Sequence, residues 1–193
     1  QILESSKSED LEMKKLLRSK ASDMLYWSDT IRWSNGLYSQ INDSVNSMII
    51  SFEKLKNYAV YLSLKTSDLT LMSNSIYRLN KVKYEVLFKI DSIYPSYQPG
   101  HSHSDNLSLN IFSKNKEFIV DPGISTYEKG EVRNTEKSTI NHNTVSVNGQ
   151  NNNEIWDSFR VGGRGKSMLI SKKTDSIKAS VNYPKENFKH LRS

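Results

Sequence analysis

The spacing of apolar residues predicts helices in the first third of the chain. Between residues 37 and 62 apolar side chains recur every three or four positions, which is the period of one helix face. The pattern consists of Leu37, Ile41, Val45, Ile49, Phe52, Leu55, Ala59 and Leu62. It predicts a helix of about seven turns. A second helix is predicted to begin earlier, at a cap on Ser8, and to end before a turn at Ser34-Asn35-Gly36. Aromatic residues crowd that turn, where they can pack the helix pair or stack on a ligand: Tyr26, Trp27, Trp33 and Tyr38.

After residue 75 the pattern changes to short runs rich in β-branched and aromatic residues, which predict strands. The runs are 76–79, 84–90, 107–112, 118–120, 144–147, 167–171 and 177–183. Lys114-Asn115-Lys116 can close a hairpin, and Asn148-Gly149 is a strong turn dipeptide. Little chain between the runs is available for crossover helices, so the strands should pair antiparallel. The predicted fold class is α+β, with helices followed by an antiparallel β-sandwich.

Composition limits the classes of protein to which the chain can belong. Its 193 residues, 36% of them hydrophobic, are enough to fold around a substantial core. No run approaches the roughly 18 apolar residues of a membrane helix, so no membrane span is expected. The absence of cysteine excludes disulfides and thiolate metal ligands. A formal charge of +6 fits nucleic acid or acidic polysaccharide as a partner, and equally an ordinary solvated surface.

Three of the four histidines lie in short motifs of the β region. These motifs are Gly100-His101-Ser102-His103-Ser104-Asp105, Val120-Asp121-Pro122-Gly123 and Asn141-His142-Asn143-Thr144. On a strand, the two histidines of His-x-His would leave the backbone on the same face. Histidine nitrogen and aspartate oxygen are ligands that zinc accepts. The motifs therefore predict a metal site, or else a set of polar residues that satisfy one another without metal.

Together these motifs resemble the heparinase II/III-like polysaccharide lyases. In that family a toroid of α-helix pairs precedes a β-sandwich that carries His-x-His-x-Asp, then Asp-x-Gly, then His-Asn-Thr. The resemblance implies that residues 1–75 are the end of the toroid and residues 76–193 an incomplete sandwich. An incomplete sandwich would expose an edge or an apolar face, so self-association is also expected. The family is bacterial, and the resemblance places the protein in the periplasm or at the cell surface.

The resemblance also assigns the metal ligands. It implies a structural zinc held by His103, Asp121 and His142, with Asp105 and Asn143 as nearby partners that fix the imidazoles.

For activity, the resemblance implies β-elimination at a uronic acid of an acidic polysaccharide, such as a glycosaminoglycan, and not action on nucleic acid. His101 would be the base or a donor to the uronate carboxylate. Tyr127 would be the proton donor to the leaving oxygen, or else a structural tyrosine of a turn. Arg133 would pair with the substrate carboxylate, or else be a solvated surface residue. Lys137 stands where an arginine is common in the family.

The chain departs from the family in having no histidine before His101 and little of the toroid, so the full-length parent is expected to be the lyase. Two other functions are considered. A metal-dependent hydrolase can also use His-x-His, but its barrel alternates strands with helices, which the short strands after His103 argue against. The stronger alternative is a non-catalytic module that binds acidic glycan and contains a structural metal.

Overall fold

The structure of the chain, a computed structural model, describes residues 11–45, 48–65, 75–91, 93–185 and 187–193. The helices in these ranges are α1 (Leu11–Thr30), α2 (Phe52–Tyr61) and the short α3 (Glu131–Glu136). None of them is long and apolar enough to cross a membrane. The predicted cap at Ser8 lies outside the described residues. The predicted domain boundary after residue 75 adjoins 71–74, which are also outside them, and it stays a prediction.

The strands of the described chain pair antiparallel, as the sequence predicts. They are β1 (Ile76–Asn80), β2 (Tyr84–Lys89), β3 (Ser108–Ser113), β4 (Lys116–Ile119), β5 (Asn153–Asp157), β6 (Arg160–Arg164), β7 (Lys166–Lys172), β8 (Ile177–Asn182) and β9 (Lys189–Arg192). They form a four-stranded sheet in the order β1-β2-β3-β4, a β5-β6 hairpin and a three-stranded β7-β8-β9 sheet. The predicted α+β class, with helices before antiparallel sheets, is confirmed.

The long helix predicted over residues 37–62 is wrong over more than half of its length. Among the described residues of this stretch the α-helix is α2, and it begins where the Ser51 hydroxyl accepts a hydrogen bond from the Lys54 amide. Before it, Tyr38 forms an isolated antiparallel bridge with Arg32, and Asn42 has a left-handed backbone with φ of 51°. Ile41 packs against the cluster around Trp33 on the sheet, whereas Leu37 is 60% exposed, so the apolar spacing does not reflect a helix face.

The strand prediction fails at two kinds of position. Residues 144–147 form no strand, because Val147 makes only an isolated bridge to Gln150 across the Asn148-Gly149 turn. Both turn residues have positive φ, 50° and 70°, as the predicted tight turn requires.

The strands β5, β6 and β9 were not predicted because they are rich in polar residues and glycine. Their pairing comes from neighbouring strands and not from a local apolar pattern.

The core lies on both faces of the four-stranded sheet. Consecutive residues of a strand point to opposite faces, and in β2 both Leu87 and Phe88 are buried. Phe88 belongs to a cluster with Ala179 and Val181 of β8, which packs the two larger sheets face to face. Leu87 belongs to a second cluster with Trp33, Ile76 and Phe112. The four-stranded sheet is therefore covered by the other sheet on one side and by the segment after α1 on the other.

The segment that follows α1 is fixed to the sheet by one large ring and a row of polar contacts. Trp33 stacks on Phe112 with ring centroids 5.4 Å apart, and its indole nitrogen donates to Glu117 at 2.9 Å. Farther along, the Asn110 amide donates to the Ser39 hydroxyl at 2.7 Å and to the Gln40 carbonyl at 3.1 Å. These contacts hold residues 39–45 against the sheet.

Replacing Trp33 by alanine should lower the free energy of unfolding by about 3–5 kcal/mol, because a fully buried ring and its packing are lost. Chemical denaturation followed by circular dichroism measures this change. Trp156 is a matched control, since 60% of it is exposed and its replacement by alanine should have little effect. Equal losses in the two variants would contradict the anchoring role of Trp33.

Candidate functional site

The His-x-His motif lies in a loop and not on a strand, so the predicted same-face geometry is wrong. His101 ends a short 3₁₀ turn, Pro99–His101, that precedes β3. The His101 side chain is 60% exposed, whereas that of His103 is fully buried. Both imidazoles nevertheless meet at one carboxylate. The expected convergence of the two rings is therefore present, but by a different backbone route.

That carboxylate belongs to Asp43, which the sequence analysis did not identify. His101 Nδ1 donates to Asp43 Oδ2 at 2.7 Å, and His103 Nε2 donates to Asp43 Oδ1 at 2.8 Å. Arg133 Nη2 also donates to Oδ2, at 2.6 Å. Burial alone would raise the pKa of Asp43, but the hydrogen bonds from His103, Arg133 and His101 outweigh it and hold the pKa well below its usual range. Asp43 is therefore a buried anion that three basic side chains share.

Asp43 had little signal in the sequence. It lies inside the apolar periodicity that predicted a helix, more than fifty residues from either histidine. The run Asn42-Asp43-Ser44, which consists of residues that favour turns, was the one sign against a helix there. A charged residue in a loop gains its partners through the fold, so periodicity could not identify it.

The Asp-Pro-Gly motif holds the Asp43 loop from the other side. Gly123 has φ of +64°, and a Cβ atom there would lie 2.0 Å from Gln40 Oε1 and 2.4 Å from the Ser44 carbonyl oxygen. Only glycine fits both this backbone conformation and this space. The Gly123 amide donates to Asp121 Oδ1 at 3.0 Å, which also fixes the aspartate. The motif thus joins the Asp43 loop to the predicted metal ligands.

Tyr127 lies beside His101. The two rings contact edge to face, with centroids 6.1 Å apart, and Tyr127 is 52% exposed. Its hydroxyl donates to the Asp43 backbone carbonyl at 3.3 Å. Phe159, from the turn between β5 and β6, lies near both residues: its ring stacks parallel to Tyr127 at 6.5 Å and contacts His101 edgewise at 6.3 Å. Two polar side chains thus stand together at the protein surface.

Arg133 is buried, which contradicts its interpretation as a solvated surface residue. Besides its bond to Asp43, Nε donates to the Ser158 carbonyl at 3.1 Å and Nη1 to the Thr126 carbonyl at 3.2 Å. The guanidinium carbon lies 4.2 Å from the centre of the Phe159 ring. All three guanidinium nitrogens therefore have protein partners below the surface, a geometry that does not favour the predicted contact with a substrate carboxylate.

Lys137 supports the same loop from below. Its ammonium group is buried and donates to the Gly100 carbonyl at 2.7 Å and to the Ser158 carbonyl at 3.0 Å. Burial lowers the pKa of Lys137 to about 8, although the nearby Asp43 charge acts in the opposite direction. The lysine thus ties the residue before His101 to the β5-β6 turn.

The three predicted metal ligands come together in the fold. One ligand atom from each of His103, Asp121 and His142 lies within 4.8 Å of the others, and all three residues are buried. His142 Nδ1 donates to Asp121 Oδ2 at 2.8 Å. The other ring nitrogens, His103 Nδ1 and His142 Nε2, are buried and have no hydrogen-bond partner among the described residues. Two buried imidazoles and a carboxylate match the donor set of zinc. Because Asp121 contacts His142 at Nδ1, on the other side of the ring from the unpartnered Nε2, the ring or the carboxylate would have to turn for Nε2 and Asp121 to bind one ion.

Electrostatics around the triad differ between its two imidazoles. Burial lowers the pKa of His103, which favours the neutral form that a metal requires. Burial also acts to lower the pKa of His142, but the hydrogen bond to Asp121 and the charge of Asp105 outweigh it and raise the pKa.

The predicted partners of the imidazoles need correction. Asp105 instead accepts both of its contacts from the buried Lys89 ammonium, at 2.6 and 2.8 Å. The Asn143 amide donates to the Val120 carbonyl at 2.7 Å and to Asn110. The rings are oriented by Asp43 for His103 and by Asp121 for His142.

A comparison with models of known protein families supports the family resemblance of the three motifs. The sequence model for the C-terminal region of heparinase II/III-like proteins matches residues 66–193, and the chain therefore belongs to that family. A search of curated proteins finds no match.

Two solved heparinase III structures resemble the fold. One, with methylated lysines, has a TM-score of 0.59 and 18% sequence identity to this chain. The match covers 88% of this chain and 28% of that heparinase III chain. The other has a TM-score of 0.60 and 19% sequence identity. The match covers 94% of this chain and 32% of the second heparinase III chain. At these identities the likeness shows the fold, and the chain spans less than two thirds of either heparinase III.

Proposed function

We propose that this chain is part of a polysaccharide lyase that cleaves an acidic, uronic-acid-containing polysaccharide by β-elimination. The observation that carries the proposal is the pairing of exposed His101 with Tyr127 above the buried Asp43. Membership of the heparinase II/III-like family supports the reaction class. A periplasmic or cell-surface location and self-association of the protein belong to the same proposal.

In this reaction a base removes the proton from C5 of the uronate. The electron pair forms the C4–C5 double bond, the C4–O bond breaks, and the leaving oxygen takes up a proton. His101 suits the base, because its Nδ1 proton is held by Asp43 and the lone pair on Nε2 is then available. Tyr127 suits the donor to the leaving oxygen, because its hydroxyl is on the same exposed surface.

The buried basic residues serve this pair indirectly. Arg133 neutralises Asp43 and packs under the Phe159 ring, so it positions the carboxylate that holds His101. Lys137 positions the backbone just before His101 through the Gly100 carbonyl. Neither side chain is exposed, so charge compensation of the substrate carboxylate falls to other groups of the full-length protein.

His103, Asp121 and His142 would hold the zinc ion. When bound, the ion would cross-link the His101 loop, the turn after β4 and the segment after α3, and so supply rigidity beneath the reacting residues. The two unpartnered buried nitrogens support this role.

Replacing His142 by alanine should abolish zinc binding and remove the effect of chelator on thermal stability. In the unaltered chain, a chelator should lower the melting temperature, because the binding energy of a site assembled from distant segments contributes to folding. Elemental analysis and thermal melts measure the two effects. His190 lies outside the triad, and a His190→Gln control should keep both zinc and the chelator response. Zinc retained by His142→Ala would refute the site.

The test of the proposed function is the formation of unsaturated uronate by the full-length protein. Absorbance of the new double bond should appear with an acidic polysaccharide and be lost with the His101→Ala variant. If the full-length protein binds such a polysaccharide tightly but forms no unsaturated product, the alternative of a non-catalytic glycan-binding module is correct.

A further inference from the structure

The two hairpins of the four-stranded sheet end side by side, away from His101. The turn between β1 and β2 and the turn between β3 and β4 are at the same end of the sheet, because Tyr84 pairs with Ser113. The other end of β2 is Lys89, which contacts Asp105 next to the metal triad. Tyr84 and Lys89 are five positions apart, a span of about 17 Å at the rise of a strand. The hairpin tips are therefore a separate surface.

A groove lies between these tips, with a volume of about 430 Å³. Its basic side chains are Arg78, Lys81, Lys83 and Lys114, and Tyr84 is 45% exposed beside them. The Ser113 hydroxyl donates to the Lys83 carbonyl at 2.9 Å, which joins the two tips. Lys114 and Asn115 both have left-handed backbones, with φ of 50° and 61°, as in a tight two-residue hairpin turn. The lysines are thus carried by fixed turns.

The positive charge of the groove is not neutralised by the protein. Among the described residues that line it, the carboxylate is Glu85, and this group already pairs with Arg78 and accepts from the Ser34 amide at 3.1 Å. Nearby Glu117 accepts from Trp33. Over the described ranges of the chain, no ion pair involves Lys81, Lys83 or Lys114. Three lysines therefore line one concave space with no counter-ion among the described residues.

We propose that this hairpin-tip groove is a second binding site for an acidic polysaccharide, separate from the reacting residues. Ammonium groups bind sulfate or carboxylate as point charges, and the exposed Tyr84 ring can pack on a sugar face. The identity of the polymer rests on the proposed function. A groove at the end of β2 opposite Lys89 would hold a neighbouring part of the same polysaccharide chain. The site would thereby raise the affinity for long polymers more than for short oligosaccharides.

The test compares two triple variants of this chain that remove equal charge. Lys81→Gln, Lys83→Gln and Lys114→Gln together alter the groove, whereas Lys173→Gln, Lys178→Gln and Lys189→Gln alter exposed lysines on and beside the β7-β8-β9 sheet. Titration calorimetry with heparan sulfate oligosaccharides at two salt concentrations should show binding about tenfold weaker for the groove variant, with a smaller salt dependence. The control variant should bind like the unaltered chain.

Several outcomes would contradict the groove site, and one would contradict the lyase proposal instead. Equal weakening in the two triple variants would show that only net charge matters, and failure of the unaltered chain to bind the oligosaccharides would remove the site. Tighter groove-dependent binding of single-stranded DNA than of heparan sulfate would make the partner a nucleic acid. Groove-dependent polysaccharide binding by a full-length protein that forms no unsaturated product would refute the lyase proposal and leave the groove site in place.

Discussion

Replacing His101 by alanine is expected to lower turnover of the full-length protein by roughly 100-fold or more while leaving its stability nearly unchanged. A positioned acid or base contributes about this much to a reaction rate. The His101 side chain is 60% exposed, so its removal creates no large cavity. Asp43 retains its bonds to His103 and Arg133 in the variant. Steady-state formation of unsaturated uronate and thermal melts measure the two quantities.

The comparison with His103→Ala gives this prediction its control. His103 is fully buried and belongs to the metal triad, so its replacement should lower the melting temperature and the zinc content together. Tyr127→Phe should lower turnover like His101→Ala, whereas Tyr97→Phe, at an 87% exposed tyrosine in the preceding loop, should not. If His101→Ala and His103→Ala lose equal stability, the two histidines act as one structural unit, and the catalytic assignment of His101 has no support.

Replacing Asp43 by alanine is expected to lower the free energy of unfolding by about 3–5 kcal/mol. The variant would leave the buried Arg133 guanidinium without its anion, and breaking one side of a buried ion pair has this cost. It would also remove the acceptor of the buried His103 ring. Urea denaturation measures the change, and a double variant with Arg133→Met should recover part of the loss because it removes the uncompensated charge.

The exposed Asp29 is a matched control for Asp43. It pairs with Arg32 at 2.6 Å, the same distance as the buried pair, but its side chain is 48% exposed. Solvent screens such a pair, so Asp29→Ala should cost less than about 1 kcal/mol. If the two alanine variants lose similar stability, Asp43 is not the residue that holds the His101 loop in place.

The sequence by itself determined the parts of this protein that depend on local patterns and compact motifs. Strands β1 to β4, β7 and β8 follow from β-branched and aromatic runs, and the Asn148-Gly149 turn follows from its dipeptide. The resemblance of the three motifs to those of the family implied the grouping of His103, Asp121 and His142, which the structure brings together. Local chemistry could determine the strands and the turn because each needs only a few neighbouring residues, whereas the grouping of the three ligands rested on the family resemblance.

The tertiary structure alone decided which charged groups meet. Asp43 contacts His101 and Arg133 across 58 and 90 residues of sequence, and no local pattern encodes such a pairing. The apolar spacing around Asp43 predicted a helix, but Trp33 and the polar row on the sheet instead hold this segment as a loop. Burial of a charge is favourable only when a partner is present. Whether Arg133 and Asp43 are buried as a pair therefore depends on the packing that brings them together, which periodicity along the chain cannot show.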